Sequence, residues 1–170
     1  KYWRESGITI DGDTDFEQLA VRFSLYHLNI MAKQDDNRIG IGAKALTGEG
    51  YKGHSFWDTE LFILPYFTFT RPGAAKSLLE YRYKNLVGAR RKAKENGYEG
   101  AMYPWECAWV DDGEVTPLYK GADVVTGKVK KVLTGLIEHH ISADIAYAVW
   151  QYYLMTGDRD FMETCGYEMI

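Results

Sequence analysis

The stretch from 61 to 97 limits the fold more than any other. An oily run, LFILPYFTF, reaches Thr70, Arg71 and Pro72, and apolar residues spaced by three and four then continue toward Gly97. Proline fits the first turn of a helix, where its missing N–H would be unpaired anyway, and glycine fits just past a helix end, where the backbone turns left-handed. Pro72 and Gly97 therefore bracket one helix, and the short connection before it predicts an antiparallel return. The predicted unit is an αα-hairpin. Its first helix is apolar on nearly every side over 61–69, which predicts burial on every side and a bend at Pro65. On the return helix the stripe runs Ala75, Leu79, Leu86, Ala89 and Ala93, and Arg82 falls within it. An inward arginine forms a buried ion pair or snorkels its stem outward, or else it reaches a ligand or orients a carboxylate.

Further helices flank the hairpin. Thr14 and Glu17 form a capping box around the start of the series Phe16, Leu19, Phe23, Tyr26 and Ile30, an amphipathic helix that ends before Asp35. Gly40, Gly42, Gly48, Gly50 and Gly53 mark a long connection that brings the backbone close to something, at a spacing that matches no phosphate-binding loop. Ser55 is placed to cap the oily helix, with Trp57 and Asp58 in its first turn, where the positive end of the helix dipole favours a carboxylate. Periodicity is lost over 98–140. Within this excursion 115–119 and 129–137 read as short strands around a turn at Thr126 and Gly127. Ser142 opens a helix through Thr156, and Gly157 with Asp158 closes it and caps a last helix holding Phe161, Cys165 and Met169. The class is all-α, built of antiparallel helical hairpins with a loop and β-hairpin excursion near 98–140, in one domain spanning 1–170.

Composition narrows the function. Hydrophobic residues at 46% and charged residues at 26% describe a globular chain. The formal charge of −4 gives no attraction to nucleic acid or to an anionic membrane surface. Arg90, Arg91, Lys92 and Lys94, followed by Glu95, read as the solvated flank of a helix. Cys107 and Cys165 show neither metal-ligand spacing nor a disulfide framework, which suits a reducing, cytoplasmic setting. No apolar run reaches membrane-spanning length, and no signal-peptide pattern is present. A chain that opens on Lys1 and stops within a helical pattern reads as a piece of a longer protein. Oily helices short of neighbours then predict self-association, a homodimer for instance.

Aromatic residues make up 15% of the chain, with five Trp and 13 Tyr, more than core filling demands. Three polar clusters stand at or just before helix starts or in the loops leading to them: Trp57, Asp58 and Glu60; Trp105 and Glu106; His139, His140, Ser142 and Asp144. Stacked hairpins can gather such starts around a single pocket. Each has a plainer alternative, since Asp58 could merely complement a helix dipole and Trp105 could be core. His140 and Asp144 lie four apart, a spacing some metal sites use, but no third ligand is near, so a histidine hydrogen-bonded to a carboxylate is expected and no metal. No G-x-S-x-G elbow occurs and neither cysteine has a triad, which leaves acyl transfer unsupported. Carboxylates among indole rings suit carbohydrate. The ring face accepts a pyranose, the acid binds vicinal hydroxyls, and a carboxylic acid with a raised pKa can protonate a glycosidic oxygen.

The strings GEGYKGHSFWDTELFILPYF, YRYKNLVGARRKAKENGYEGAMYPWE and EHHISADIAYAVWQYYLMTGD resemble glycoside hydrolase family 65, the group of maltose, kojibiose, trehalose and nigerose phosphorylases with a few related hydrolases. The likeness runs from about Trp3 to the end. It implies the leading part of an (α/α)6 barrel, with Trp57 and Asp58 holding the glucose unit on the non-reducing side of the scissile bond. It also implies that Trp105 and Glu106 share that pocket and that His140 and Asp144 shape its wall. Arg82 joins these as a contact to a carboxylate or to the pocket. The family's general acid sits in a later segment resembling GPDEYH, so no catalytic acid is expected in this chain. The implied reaction is a single displacement in which inorganic phosphate, a co-substrate rather than a cofactor, inverts an α-glucoside disaccharide to β-glucose 1-phosphate and glucose. A related hydrolase and a non-catalytic glycan- or partner-binding helical module are the alternatives.

Overall fold

The computed structural model describes residues 2–12 and 15–170. In chain order the elements are α1 (Tyr2–Ser6), α2 (Asp15–Met31), α3 (Leu64–Thr70, entered through a π turn over Thr59–Ile63), α4 (Pro72–Glu95), β1 (Tyr119–Ala122), β2 (Val129–Lys131), α5 (Thr134–Ile137) and α6 (His140–Thr156). A last helical stretch joins α7 (Arg159–Phe161) through a second π turn (Met162–Gly166) to α8 (Tyr167–Met169). The fold is mostly helical with one small antiparallel hairpin. Among the described residues no helix is long and apolar enough to cross a membrane.

Helix α4 is the centre of the core. Pro72 starts it and Gly97, at φ +79°, follows its end, where Tyr98 N–H donates to Ala93 O at 2.9 Å. Its Ala74, Ala75, Leu78, Leu79, Leu86 and Ala89 are buried, and small residues let neighbouring helices approach. Leu64 and Phe67 of α3 pack on one side, while Ile141, Ile145 and Val149 of α6, with Phe161, complete the cluster. At Gly88 a Cβ would stand 1.9 Å from Asp112 O, so glycine there lets the loop cross the helix directly. Asp158 caps α7 by accepting from Phe161 N–H at 2.9 Å, as the pattern around Gly157 predicts.

Several expectations are corrected. Thr14 of the capping box lies outside the described residues. The helix it announces is present, but Phe16, Leu19 and Phe23 of its apolar stripe are 74%, 65% and 62% exposed, uncovered by any element among the described residues. The 61–69 run is not buried all round: Leu64 and Phe67 face α4, whereas Phe62 and Phe69 are exposed. Its start is a π turn, in which Leu64 N–H donates to Thr59 O, just before Pro65 removes the next donor. Ser55 caps nothing; it pairs through its backbone with Gly42 and Cys107. Helix α6 begins at His140, and the Ser142 hydroxyl instead accepts from Tyr103 N–H at 3.0 Å. The expected strand over 115–119 gives way to β1, which shares only Tyr119 with it; that over 129–137 shortens to β2, and 134–137 forms α5, with Gly135 buried. Lys92 is not solvated but 3% exposed, three residues after Ala89 on the inward side of α4.

Candidate functional site

The Gly-rich connection and the excursion meet through Ser55. Its N–H donates to Cys107 O at 2.9 Å and its carbonyl accepts from Cys107 N–H at 3.0 Å, while Ala43 N–H reaches His54 O at 3.2 Å. A side chain at residue 40 would collide with Ser55 Oγ at 2.3 Å and with Tyr81 at 2.7 Å, the close approach that glycine permits. This pairing sets Trp57 and Asp58, just after Ser55, beside Trp105 and Glu106, just before Cys107.

Buried under this junction, Arg82 secures the segment that carries Trp57 and Asp58. Its Nη2 donates to Phe56 O at 2.8 Å, and Nε and Nη2 together reach the two carboxylate oxygens of Glu60 at 2.7 and 2.8 Å. The side chains are 1% and 2% exposed. Burial alone would lower the guanidinium's pKa, but the facing Glu60 charge and hydrogen bonds outweigh it and hold the pKa above the ordinary value. Tyr103 OH donates to Arg82 O at 3.1 Å, and burial pushes that phenol up.

Above the junction opens a cleft of about 640 Å³, lined among others by Tyr51, Phe56, Asp58, Trp105, Glu106 and Thr134. Its wall is aromatic. Tyr51 and Phe56 meet edge to face at 5.4 Å between ring centroids, Phe56 and Trp105 at 6.2 Å, and Trp57 lies 6.4 Å from Trp105. Tyr51 and Lys52 hold φ values of +61° and +58°, a strained left-handed backbone for non-glycine residues at the rim. Glu106 is oriented by His54, whose Nδ1 lies 2.7 Å from Oε1. Thr134 Oγ1 in the lining and Trp57 Nε1 beside Trp105 are buried with no hydrogen-bond partner among the described residues, a cost that a hydroxyl-bearing ligand could relieve.

Of the residues singled out in the sequence, Asp58, Trp105 and Glu106 thus line one cleft, and Trp57 packs against Trp105. His140 is joined to them through an edge contact with Trp57 at 4.7 Å, and its Nδ1 lies 2.5 Å from Asp144 Oδ2. Neither His140 nor Asp144 lines the cleft itself. Arg82 meets a carboxylate, as expected, but beneath the cleft rather than within it. Sequence reasoning passes over His54, Tyr51, Thr134 and the pair Lys92 and Glu114. His54 could be found from its place in GHSFWD; Glu114 stands in a stretch without periodicity and gives no signal. Cys107 is buried, and burial pushes its thiol up although the Tyr81 OH, which donates to its sulfur at 3.3 Å, works the other way.

The fold is mostly helical, and its cleft brings aromatic and acidic side chains together. The chain belongs to glycosyl hydrolase family 65: residues 22–170 match the family's central catalytic domain. It is 57% identical over 170 residues to a kojibiose phosphorylase of Halothermothrix orenii, covering 99% of this chain and 21% of that protein. A kojibiose phosphorylase of Escherichia coli is 48% identical over 95% of this chain and 21% of its own length. A solved chain from the human microbiome, carrying a provisional kojibiose phosphorylase name, superposes at a TM-score of 0.81 with 31% identity, over 99% of this chain and 22% of its own. The chain therefore spans about a fifth of the length of the curated relatives it matches.

Proposed function

We propose that this chain is the leading part of the (α/α)6 catalytic barrel of an inverting α-glucoside phosphorylase and that its cleft holds the donor glucose. The observation that carries the reading is the convergence of Asp58, Trp105 and Glu106 on one cleft, with Trp57 behind them. Indole faces stack on the apolar face of a pyranose, and ionised carboxylates accept from vicinal hydroxyls. Phosphate then attacks the anomeric carbon while an acid outside this chain protonates the leaving oxygen, giving β-glucose 1-phosphate and free glucose from the disaccharide. Kojibiose is the first substrate to try, because it names the relatives with the highest identities reported above.

Hydrolysis is the second reading, supported by a Flavobacterium johnsoniae kojibiose hydrolase that is 40% identical over 98% of this chain. The test is an assay of the whole protein on kojibiose and trehalose with and without inorganic phosphate. Phosphate-dependent formation of β-glucose 1-phosphate is expected. Glucose release at the same rate without phosphate would replace phosphorolysis with hydrolysis.

A further inference from the structure

We propose that Glu114 is the positioning residue that sets Trp105 and Glu106 in the cleft. The inference rests on the donor-sugar reading of the cleft and extends it to a side chain that no sugar need touch. Glu114 accepts five hydrogen bonds. Its Oε2 takes Trp105 N–H at 2.8 Å and Lys92 Nζ at 2.5 Å; its Oε1 takes Glu106 N–H at 3.0 Å, Thr116 N–H at 3.2 Å and Thr116 Oγ1 at 2.7 Å. An ionised carboxylate is acceptor-only, with room for about four lone-pair directions, so one side chain satisfies donors from both cleft-lining residues and from Thr116.

The arrangement is specific to a carboxylate with a buried cation behind it. Lys92 is 3% exposed and sits on the rigid core helix α4, so the charge that balances Glu114 is fixed to the scaffold rather than to a loop. On the other side a Cβ at residue 135 would stand 2.8 Å from Glu114 Cδ, so a side chain there displaces the carboxylate. Gly135 follows Thr134, itself a cleft residue. Glu114 thereby ties α4, the Trp105–Glu106 peptide, Thr116 and the start of α5 into one unit. Two walls of the cleft take their separation from it. A glutamine would turn an N–H₂ group toward one pair of donors and leave Lys92 without its counter-charge, moving the peptide that carries both sugar-facing side chains.

The test compares wild type with Glu114→Gln and Gly135→Ala in the whole protein. The latter crowds the Glu114 carboxylate without removing any hydrogen-bonding group. Each variant is expected to raise KM for the disaccharide and to lower kcat/KM roughly tenfold to a hundredfold, the scale of a misplaced contact. The double variant should lose little more than the worse single one. A purely structural role would reduce the active fraction and leave KM of the remaining enzyme unchanged, which would overturn the proposal. Crystal structures of wild type and Glu114→Gln read the same point without substrate. Displacement of the Trp105 and Glu106 backbone supports it, and superposition within coordinate error overturns it. A wild type that turns over no α-glucoside would sink the functional reading alone, since the crystal comparison still decides on Glu114.

Discussion

Replacing Glu60 by Gln keeps the shape of the side chain and removes one charge, which isolates the worth of the buried pair with Arg82. Both side chains are almost wholly enclosed, at 1% and 2% exposure, and the pair is bidentate at 2.7 and 2.8 Å. Water cannot reach the stranded guanidinium, and Arg82 Nη1 already lacks a partner among the described residues. Breaking such a pair from one side costs about 3–5 kcal/mol. A domain of this size loses about 2–4 °C of Tm per kcal/mol, so the expected fall is roughly 6–20 °C. Urea unfolding followed by tryptophan fluorescence should show a lower midpoint with an unchanged slope. The double variant Glu60→Met with Arg82→Met removes both charges and leaves only Phe56 O unpaired, a deficit of about 1–3 kcal/mol, so it should be the more stable of the two. A Glu60→Gln protein within about 1 kcal/mol of wild type, or a double variant no better than the single, would refute the argument.

Asp58→Asn should lower kcat/KM of the whole protein by roughly tenfold to a hundredfold, the loss of a charged hydrogen bond to sugar worth about 1.5–3 kcal/mol, and steady-state kinetics on kojibiose would read it. Asp158 carries a pH dependence. Burial works to raise its carboxyl, but Phe161 N–H, Lys76 and the Tyr152 hydroxyl outweigh that and hold it below the ordinary 3.8. Because the folded value lies under the unfolded one, its stabilisation is present above about pH 4 and is lost as pH falls through the folded value. Melting curves should therefore show Asp158→Asn less stable than wild type at pH 7 and equal to it in strong acid. Gly88→Ala drives a Cβ into Asp112 O, and an overpacking cost of about 1–3 kcal/mol should appear as a lower urea midpoint. The exposed Phe16, Leu19 and Phe23 predict that residues 1–170 expressed alone elute from gel filtration as a dimer or larger; a sharp monomer peak would contradict this.

The sequence carried the helices whose ends are written in local chemistry. Pro72 and Gly97 bracket α4, and Gly157 with Asp158 marks the last turn, because missing N–H groups, left-handed backbone and caps act within a few residues. The π turn ahead of α3 was hidden, since TELFI reads as ordinary helix and only packing shows the widened turn. Ser55 misled for a different reason: its partner Cys107 lies 52 residues away, and a cap and a bridge look alike in one dimension. Lys92 reads as surface because it stands in a run of basic residues followed by Glu95, whereas burial there depends on Glu114 arriving from a loop. The aromatic and acidic pairs of the cleft were legible as chemistry. Their meeting, and the residues that hold them, were not.

A crystal structure of the whole protein with kojibiose bound tests the central reading most directly. The non-reducing glucose unit is expected in the cleft, with hydroxyls within about 3 Å of the Asp58 carboxylate and its ring against Trp105. A sugar bound elsewhere, with Asp58, Trp105 and Glu106 untouched, would contradict it.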